Sequence, residues 1–321
     1  MKIGLFGVGH LGKIHLKCLL DSPFSLAGFY DPDDSAAKII EETYSIPRFL
    51  TVEKLIAAVD AVDIVCPTIL HYDIALKAAM ADKHVFIEKP VTETVGQAKH
   101  LMELALEHKI VMQVGHVERY NPAIIPLENK IKNPRFIEGH RLALFNPRGT
   151  DVSVVLDLMI HDLDLVLSIV KSEVSDVAAN GVCIVSSTPD ICNARIEFKN
   201  GCVANLTASR ISLKNMRKLR IFQDDAYISL DFLTKESQMV KIDNVSEGTE
   251  MDAMTISTNT GLKRISIEQF PIGQSNAILA ELNDFYHAIK NGIPPKVSIE
   301  DGFKALHLAH LIHQKIESQH E

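Results

Sequence analysis

Over the first third of the chain, short, mainly apolar runs alternate with stretches whose apolar residues recur every three or four positions. The runs are Met1 to Phe6, Leu26 to Tyr30, Val62 to Cys66, Lys83 to Ile87 and Ile110 to Val114. Each suits a strand covered on both faces, the burial a parallel sheet provides. Between them, Lys13 to Leu20 offers Ile14, Leu16, Cys18 and Leu19 as an inward helix face, and Ile74 to Met80 also reads as helix. Thr94 and Gln97 have capping-box spacing ahead of Ala98, Leu101, Met102 and Ala105, which recur at helical intervals. Alternating strands and helices predict a doubly wound parallel sheet over residues 1–118.

Beyond Arg119 the pattern changes. Arg135 to Phe145, Val177 to Val185, Asn193 to Phe198, Cys202 to Arg210, Leu219 to Phe222 and Ala226 to Phe232 read as strands. One helix, Val154 to Val170, interrupts them. Such a run predicts an α+β domain with a large, open, mostly antiparallel sheet over residues 119–297. Asn244 to Leu262 has few large apolar residues and reads as a hairpin or mobile loop. A helix from Asn276 carries Ile278, Leu282, Phe285 and Ile289 on one face and stops at Asn291-Gly292. The last helix follows Ser298 and, as residues 298–321, is expected to return to the first domain.

The turn after the first strand carries chemistry. Gly7-Val8-Gly9-His10-Leu11-Gly12 separates strand from helix, and Asp31 closes the second strand. Strand, glycines, helix, strand and acid in that order form the dinucleotide-binding fingerprint of a Rossmann domain. Gly7 permits the tight turn, Gly9 lets a pyrophosphate reach the backbone, and Gly12 lets helix and strand pack closely. The helix N-terminus offers N–H groups to the phosphates. Asp31 accepts from ribose hydroxyls and repels a 2′-phosphate. No arginine follows until Arg48, so NAD is expected rather than NADP.

Charge and composition narrow the partners. The 321 residues carry a net charge of −8 with no basic run, which argues against nucleic acid and anionic membrane surfaces. No apolar stretch approaches the roughly 20 residues of a membrane helix. Glycines break the N-terminal apolar run and no small-residue cleavage site follows it, so a cytoplasmic location is expected. The five cysteines are odd in number and lack C-x-x-C spacing; they read as small buried hydrophobes of a reducing compartment.

Two constellations stand where a substrate would lie. Glu88-Lys89-Pro90 ends a strand, and a lysine there can bind a hydroxyl or relay its proton. Pro67-Thr68 with His71 ends the neighbouring strand and is placed to line a nicotinamide pocket. Asp157 and His161 stand at i and i+4 on the interrupting helix, where a carboxylate can fix the tautomer of a basic imidazole. Asp162 and Asp164 are expected to cap or solvate the opposite face. His116-Val117-Glu118-Arg119 has two readings, contact with a ligand or a link between domains. No metal is expected: the pair lacks a third ligand at a recognisable spacing, and His307, His310 and His313 read as a partly solvated face.

With these motifs in hand, the chain resembles the Gfo/Idh/MocA oxidoreductase family nearly end to end. Cys66-Pro67-Thr68, His84 to Pro90, Arg119-Tyr120-Asn121-Pro122 and Asn291-Gly292-Ile293-Pro294-Pro295 carry the likeness. The resemblance implies an NAD-dependent dehydrogenase of sugars, polyols or related compounds that assembles as a homodimer or homotetramer through its second-domain sheet. It implies catalytic roles for Lys89, Asp157 and His161, and cofactor contacts from Gly7 to Gly12, Asp31, Pro67, Thr68, His71, Glu88 and Lys89. Cys66 departs from a threonine common before the proline, which puts that side-chain contact in doubt. Val114 to Pro122 and Pro147 to Leu158 resemble a narrower group, the UDP-N-acetylglucosamine 3-dehydrogenase-like members. That implies a nucleotide-sugar substrate held by Arg119, Tyr120, Asn121, Arg141 and Arg148, with Arg210 a further source of a guanidinium fork. A dehydrogenase of a free sugar or inositol, and a non-catalytic NAD- or sugar-sensing regulator, are the alternative readings.

Overall fold

The computed structural model describes residues 1–146, 152–245, 254–259, 261–271, 273 and 275–318. It forms two compact units, Met1–Tyr120 with Asn276–His310, and Asn121–Ser275 with Leu311–Glu321.

In the first unit, β1 (Lys2–Phe6), α1 (His10–Leu20), β2 (Ser25–Tyr30), α2 (Asp34–Tyr44) and α3 (Val52–Ala58) precede β3 (Ala61–Ile64). Then come α4 (His71–Met80), β4 (His84–Glu88), α5 (Val95–Glu107) and β5 (Met112–Gly115). The five strands are parallel in the order β2-β1-β3-β4-β5. Beyond β2, Arg48 makes one more parallel bridge, with Phe29. Counting it as a vestigial strand gives the order 3-2-1-4-5-6 of dinucleotide-binding sheets, whose switch point falls between β1 and β3. Thr94 and Gln97 form both bonds of the capping box at α5. The inward face of α1 differs from the sequence reading: Ile14 is 36% exposed, whereas His15 is fully buried beside Leu16, Cys18 and Leu19.

The second unit carries β6 (Phe136–Leu144), a π-helical turn at Val155–Met159 and α6 (Ile160–Val170). The strands β7 (Val174–Val182), β8 (Ile191–Phe198), β9 (Val203–Ser212), β10 (Met216–Gln223), β11 (Ala226–Asp231), β12 (Glu236–Asn244), β13 (Thr255–Thr258) and β14 (Gly261–Phe270) follow. They form one sheet in the order β13-β14-β12-β11-β10-β6-β9-β8-β7, antiparallel except for β6 beside β9. Alternating burial along β8 and β11 marks one covered face. Of the two readings of Asn244 to Leu262, hairpin or loop, the hairpin holds for its end: β13 and β14 pair from Thr255↔Arg264 to Thr258↔Gly261, while residues 246–253 and 260 lie outside the described residues.

The closing helices are α7 (Ala277–Asn291) and α8 (Ile299–Glu317). The sequence boundary at residue 297 left α7 in the second domain, yet it packs in the first unit. Leu282 and Phe285 are fully buried in the core that holds Leu16, Leu19 and Phe86, with the Phe285 ring 5.9 Å from that of Phe86. Gln113 on β5 donates to the Glu281 carbonyl at 2.8 Å, and Asn276 bonds Cys18.

Candidate active site

Each glycine of the turn after β1 answers to a different constraint. Gly7 has φ +95°, and a Cβ there would stand 2.9 Å from the backbone of Cys66. At Gly12 a Cβ would sit 2.1 Å from the Gly7 carbonyl oxygen, so helix and turn could not close. A Cβ on Gly9 would meet no protein atom within 4 Å. No intramolecular clash demands glycine there; close approach of a phosphate does. His10 and Leu11 open α1 and are exposed, while Val8 is buried.

Gly7, Gly9, Tyr30, Asp31, Cys66, Pro67 and Leu70 line a cleft of about 620 Å³ at the carboxyl ends of β1, β2 and β3. Asp31 accepts the Val8 N–H at 2.8 Å and the Asp33 N–H at 2.9 Å, which orients its carboxylate at the cleft wall. Arg48, remote in sequence, is a spatial neighbour. Its guanidinium is held by Asp34 at 2.7 Å and by the Asp31 carbonyl at 2.8 Å. These residues fit an adenine dinucleotide: an open phosphate turn, a ribose-binding carboxylate and apolar walls.

Other expected contacts are placed differently. His71 is 1% exposed, with Nδ1 3.0 Å from the Pro90 carbonyl and Nε2 2.8 Å from the Cys66 carbonyl. It staples two strand ends together instead of facing a nicotinamide, and burial lowers its pKa. Thr68 is half-buried in a 3₁₀ turn. Lys89 is half-buried directly after β4, its peptide bond to Pro90 is cis, and its N–H donates to the Glu88 carboxylate at 3.1 Å. Glu88 itself turns inward, away from any cofactor role: its side chain fills the space that a Cβ on Gly115 would need.

In the second unit, Asp157 lies in the π-helical turn and His161 in the first turn of α6, both half-buried. The wider turn offsets them from the regular helical face assumed from their spacing; single π turns concentrate at functional sites. Asp162 and Asp164 are buried, not solvating. Asp162 accepts both arms of the Arg141 fork, at 2.9 and 2.8 Å, and Arg141 is 3% exposed. The guanidinium expected to bind substrate is therefore spent on a buried carboxylate. Arg210 likewise lies inside, donating to the Val152 carbonyl and standing 3.9 Å from Asp190.

The segment after β5 is also more structural than expected. His116 and Glu118 are buried. The Tyr120 hydroxyl donates to Asp284 at 2.8 Å and accepts from Gln113, and burial pushes its pKa up. Asn121 donates to the Phe232 carbonyl and caps the turn at Ala123. Arg119 reaches Asp301 at 3.5 Å. Arg148 lies outside the described residues.

A polar cluster that sequence reasoning missed lies beneath the Lys89 turn. His15 Nδ1 is 3.0 Å from Asp63 and its Nε2 is 3.2 Å from Glu88, with Glu281 completing the group. The signal was present: Gly12, His15, Leu16 and Leu19 share one helical face, but an imidazole is not counted as apolar.

Among known proteins, a model described as an oxidoreductase family with an NAD-binding Rossmann fold matches residues 1–116, and its C-terminal α/β counterpart matches 128–321. The UDP-N-acetylglucosamine 3-dehydrogenase of Acidithiobacillus ferrooxidans is 38% identical over 290 residues, covering 90% of this chain and 88% of that one. Its crystal structure superposes with a TM-score of 0.90 over 99% of this chain and 98% of that one. Myo-inositol 2-dehydrogenase of Thermotoga maritima is 24% identical over 99% and 97% of the two chains. A Lactobacillus casei scyllo-inositol dehydrogenase, solved with NAD(H) and scyllo-inositol, shares the fold at a TM-score of 0.79 and 20% identity, over 99% of this chain and 97% of that one.

Proposed function

Because this chain belongs to the Gfo/Idh/MocA oxidoreductase family and is an NAD-dependent dehydrogenase, we propose that it oxidises a secondary hydroxyl of a nucleotide sugar, UDP-N-acetylglucosamine at C3. One observation carries this reading: the 38% identity to an enzyme named for that reaction, spread over 90% of the chain. A free inositol or sugar is the second reading, supported by the relationship to myo-inositol 2-dehydrogenase.

When bound, NAD supplies the acceptor for the hydride. Gly7, Gly9 and the α1 N-terminus hold its pyrophosphate and Asp31 its adenosine ribose. Lys89 donates a hydrogen bond to the substrate oxygen and stabilises the charge developing there. His161, with Asp157 as its orienting carboxylate, takes the hydroxyl proton. The same reading gives assembly through the second-unit sheet, where Val240, Ile242, Ile256, Ile265 and Ile267 share one face of β12 to β14 by register. Three of them are at least 42% exposed. Sedimentation equilibrium should find a dimer or tetramer; a monomer at micromolar concentration contradicts this assignment.

The test of function is absorbance of reduced nicotinamide when the protein meets NAD and a panel of UDP-N-acetylglucosamine, free sugars and inositols, with a ketone trap to draw the equilibrium. Turnover of the UDP-sugar alone supports the proposal; turnover of inositol alone replaces it. A cofactor prediction accompanies it. Asp31→Ala should weaken NAD far more than NADP, because it removes a ribose acceptor and leaves Arg48 beside the ribose. Equal losses for both cofactors, measured as kcat/KM, would remove Asp31 from ribose recognition.

A further inference from the structure

His15, Asp63 and Glu281 are fully buried and Glu88 is 7% exposed, so four titratable groups lie inside the first unit with no role in the mechanism above. Each comes from a different element: α1, β3, β4 and α7. Charges are seldom buried without partners, and here the partners form a chain. Asp63 bonds His15 Nδ1 at 3.0 Å, His15 Nε2 lies 3.2 Å from Glu88 Oε1, and Glu88 Oε2 accepts the Lys89 N–H at 3.1 Å. The ring of Phe86 packs against the imidazole at 5.8 Å, and Gly115 leaves room for the Glu88 carboxylate.

We propose that His15 is a positioning residue: clamped by Asp63 and facing Glu88, it fixes the carboxylate from which the Lys89 backbone hangs, and so sets the orientation and titration of the Lys89 amine. The proposal rests on the reading that Lys89 acts on the substrate oxygen. Burial alone would lower the His15 pKa, but Asp63 and Glu88 together raise it well above the usual range. Burial pushes Asp63 up while the imidazole draws it partly back. Burial also works against ionised Glu88, and His15 and Lys89 overcome it. Glu281 has no such partner. Burial and the Glu88 charge push it well above the carboxylate range, against a smaller pull from His15. These directions favour a charged imidazole facing an ionised Glu88 beneath Lys89. Gln113 of β5 adds only its amide, bonded to the Glu281 carbonyl.

Removing the imidazolium takes away the positive charge that Asp63 and Glu88 share, leaves them as buried like charges and disfavours both ionised forms. The experiment compares the NAD-bound parent with His15→Gln and with His15→Gln/Asp63→Asn. The double variant restores the parent's charge balance by deleting one carboxylate along with the imidazolium. Three quantities are read: kcat against pH, NAD affinity, and the titration of the Lys89 amine by competitive acetic anhydride labelling and mass spectrometry. His15→Gln should lose about 10²-fold in kcat, the scale of a misplaced catalytic group. Its NAD affinity should hold, and Lys89 should titrate higher, because a positive charge beneath it is gone. The double variant should regain the parent pH profile and Lys89 titration.

Parent-like profiles and labelling in His15→Gln overturn the proposal, as does a loss that the double variant leaves uncorrected. Stoichiometric divalent metal in the purified protein, lost in Glu281→Gln, would assign the cluster to a cation and also overturn it. If His15→Gln does not fold, Glu88→Gln keeps the acceptor for the Lys89 N–H and tests the same charge through the same labelling. A slow Lys89→Ala beside an unperturbed His15→Gln refutes only the positioning role; a Lys89→Ala with parent turnover refutes the reading beneath it.

Discussion

Lys89→Ala turns substrate over about 10²–10⁴ times more slowly than the parent while NAD affinity is kept, the range expected for losing a group that acts on the reacting proton and oxygen. The lysine follows Glu88 at the carboxyl end of β4, outside the lining of the nucleotide cleft. His161→Ala falls in the same range through loss of the proton acceptor, and Asp157→Asn falls less because the imidazole survives. The double variant Lys89→Ala/His161→Ala should not show the product of the two single losses, since groups acting on one oxygen fail together. Steady-state kcat with isothermal titration of NAD separates these effects. Parent-like kcat in either single variant takes that residue out of the chemistry.

Arg141→Met destabilises the second unit by about 3–5 kcal/mol, because it removes the guanidinium that offsets the Asp162 carboxylate in a site 5% exposed. At roughly 2–4 °C per kcal/mol for a unit of this size, the midpoint falls by about 6–20 °C. Its partner variant makes the argument sharp. Arg141→Met/Asp162→Leu removes both charges and should recover most of the loss, since a buried ion pair and its apolar replacement differ little in stability. Scanning calorimetry decides: a single variant within about 1 kcal/mol of the parent would mean that water reaches Asp162. The same pair engages two guanidinium N–H groups of Arg141, which argues against its expected role in holding substrate. Its fork is closed on a carboxylate from the next turn of chemistry-bearing sequence, Asp162 adjoining His161.

Sequence alone disclosed the parallel sheet because its strands are short, mainly apolar runs, and the fingerprint because strand, glycines and acid come in order. It did not disclose α2, whose eleven residues bury only Ala37 and Ile40, too few to mark a period. It missed β14 for a related reason: Lys263, Arg264 and Glu268 break the alternation, and most of the strand is exposed. At the site, residue type misled more than position. Arg141, Tyr120 and His71 have side chains that suit ligands, yet each bonds a protein partner brought near only by folding. Arg48 erred in the other direction. Seventeen residues beyond Asp31, it seemed irrelevant to the ribose, and a single parallel bridge sets it alongside.

The first unit is made from both ends of the chain, and this has a consequence for how it is synthesised. Its core needs Leu282 and Phe285, but a ribosome delivers all of Asn121–Ser275 before α7 emerges. At about 5–20 residues per second that interval is on the order of ten seconds. For that time the nascent β1–β5 segment displays the apolar surface of Phe24 and Phe86 that Phe285 will cover. The dinucleotide-binding half therefore starts first but is completed only after most of the other unit has been made, and its closure waits on translation rather than on its own folding rate.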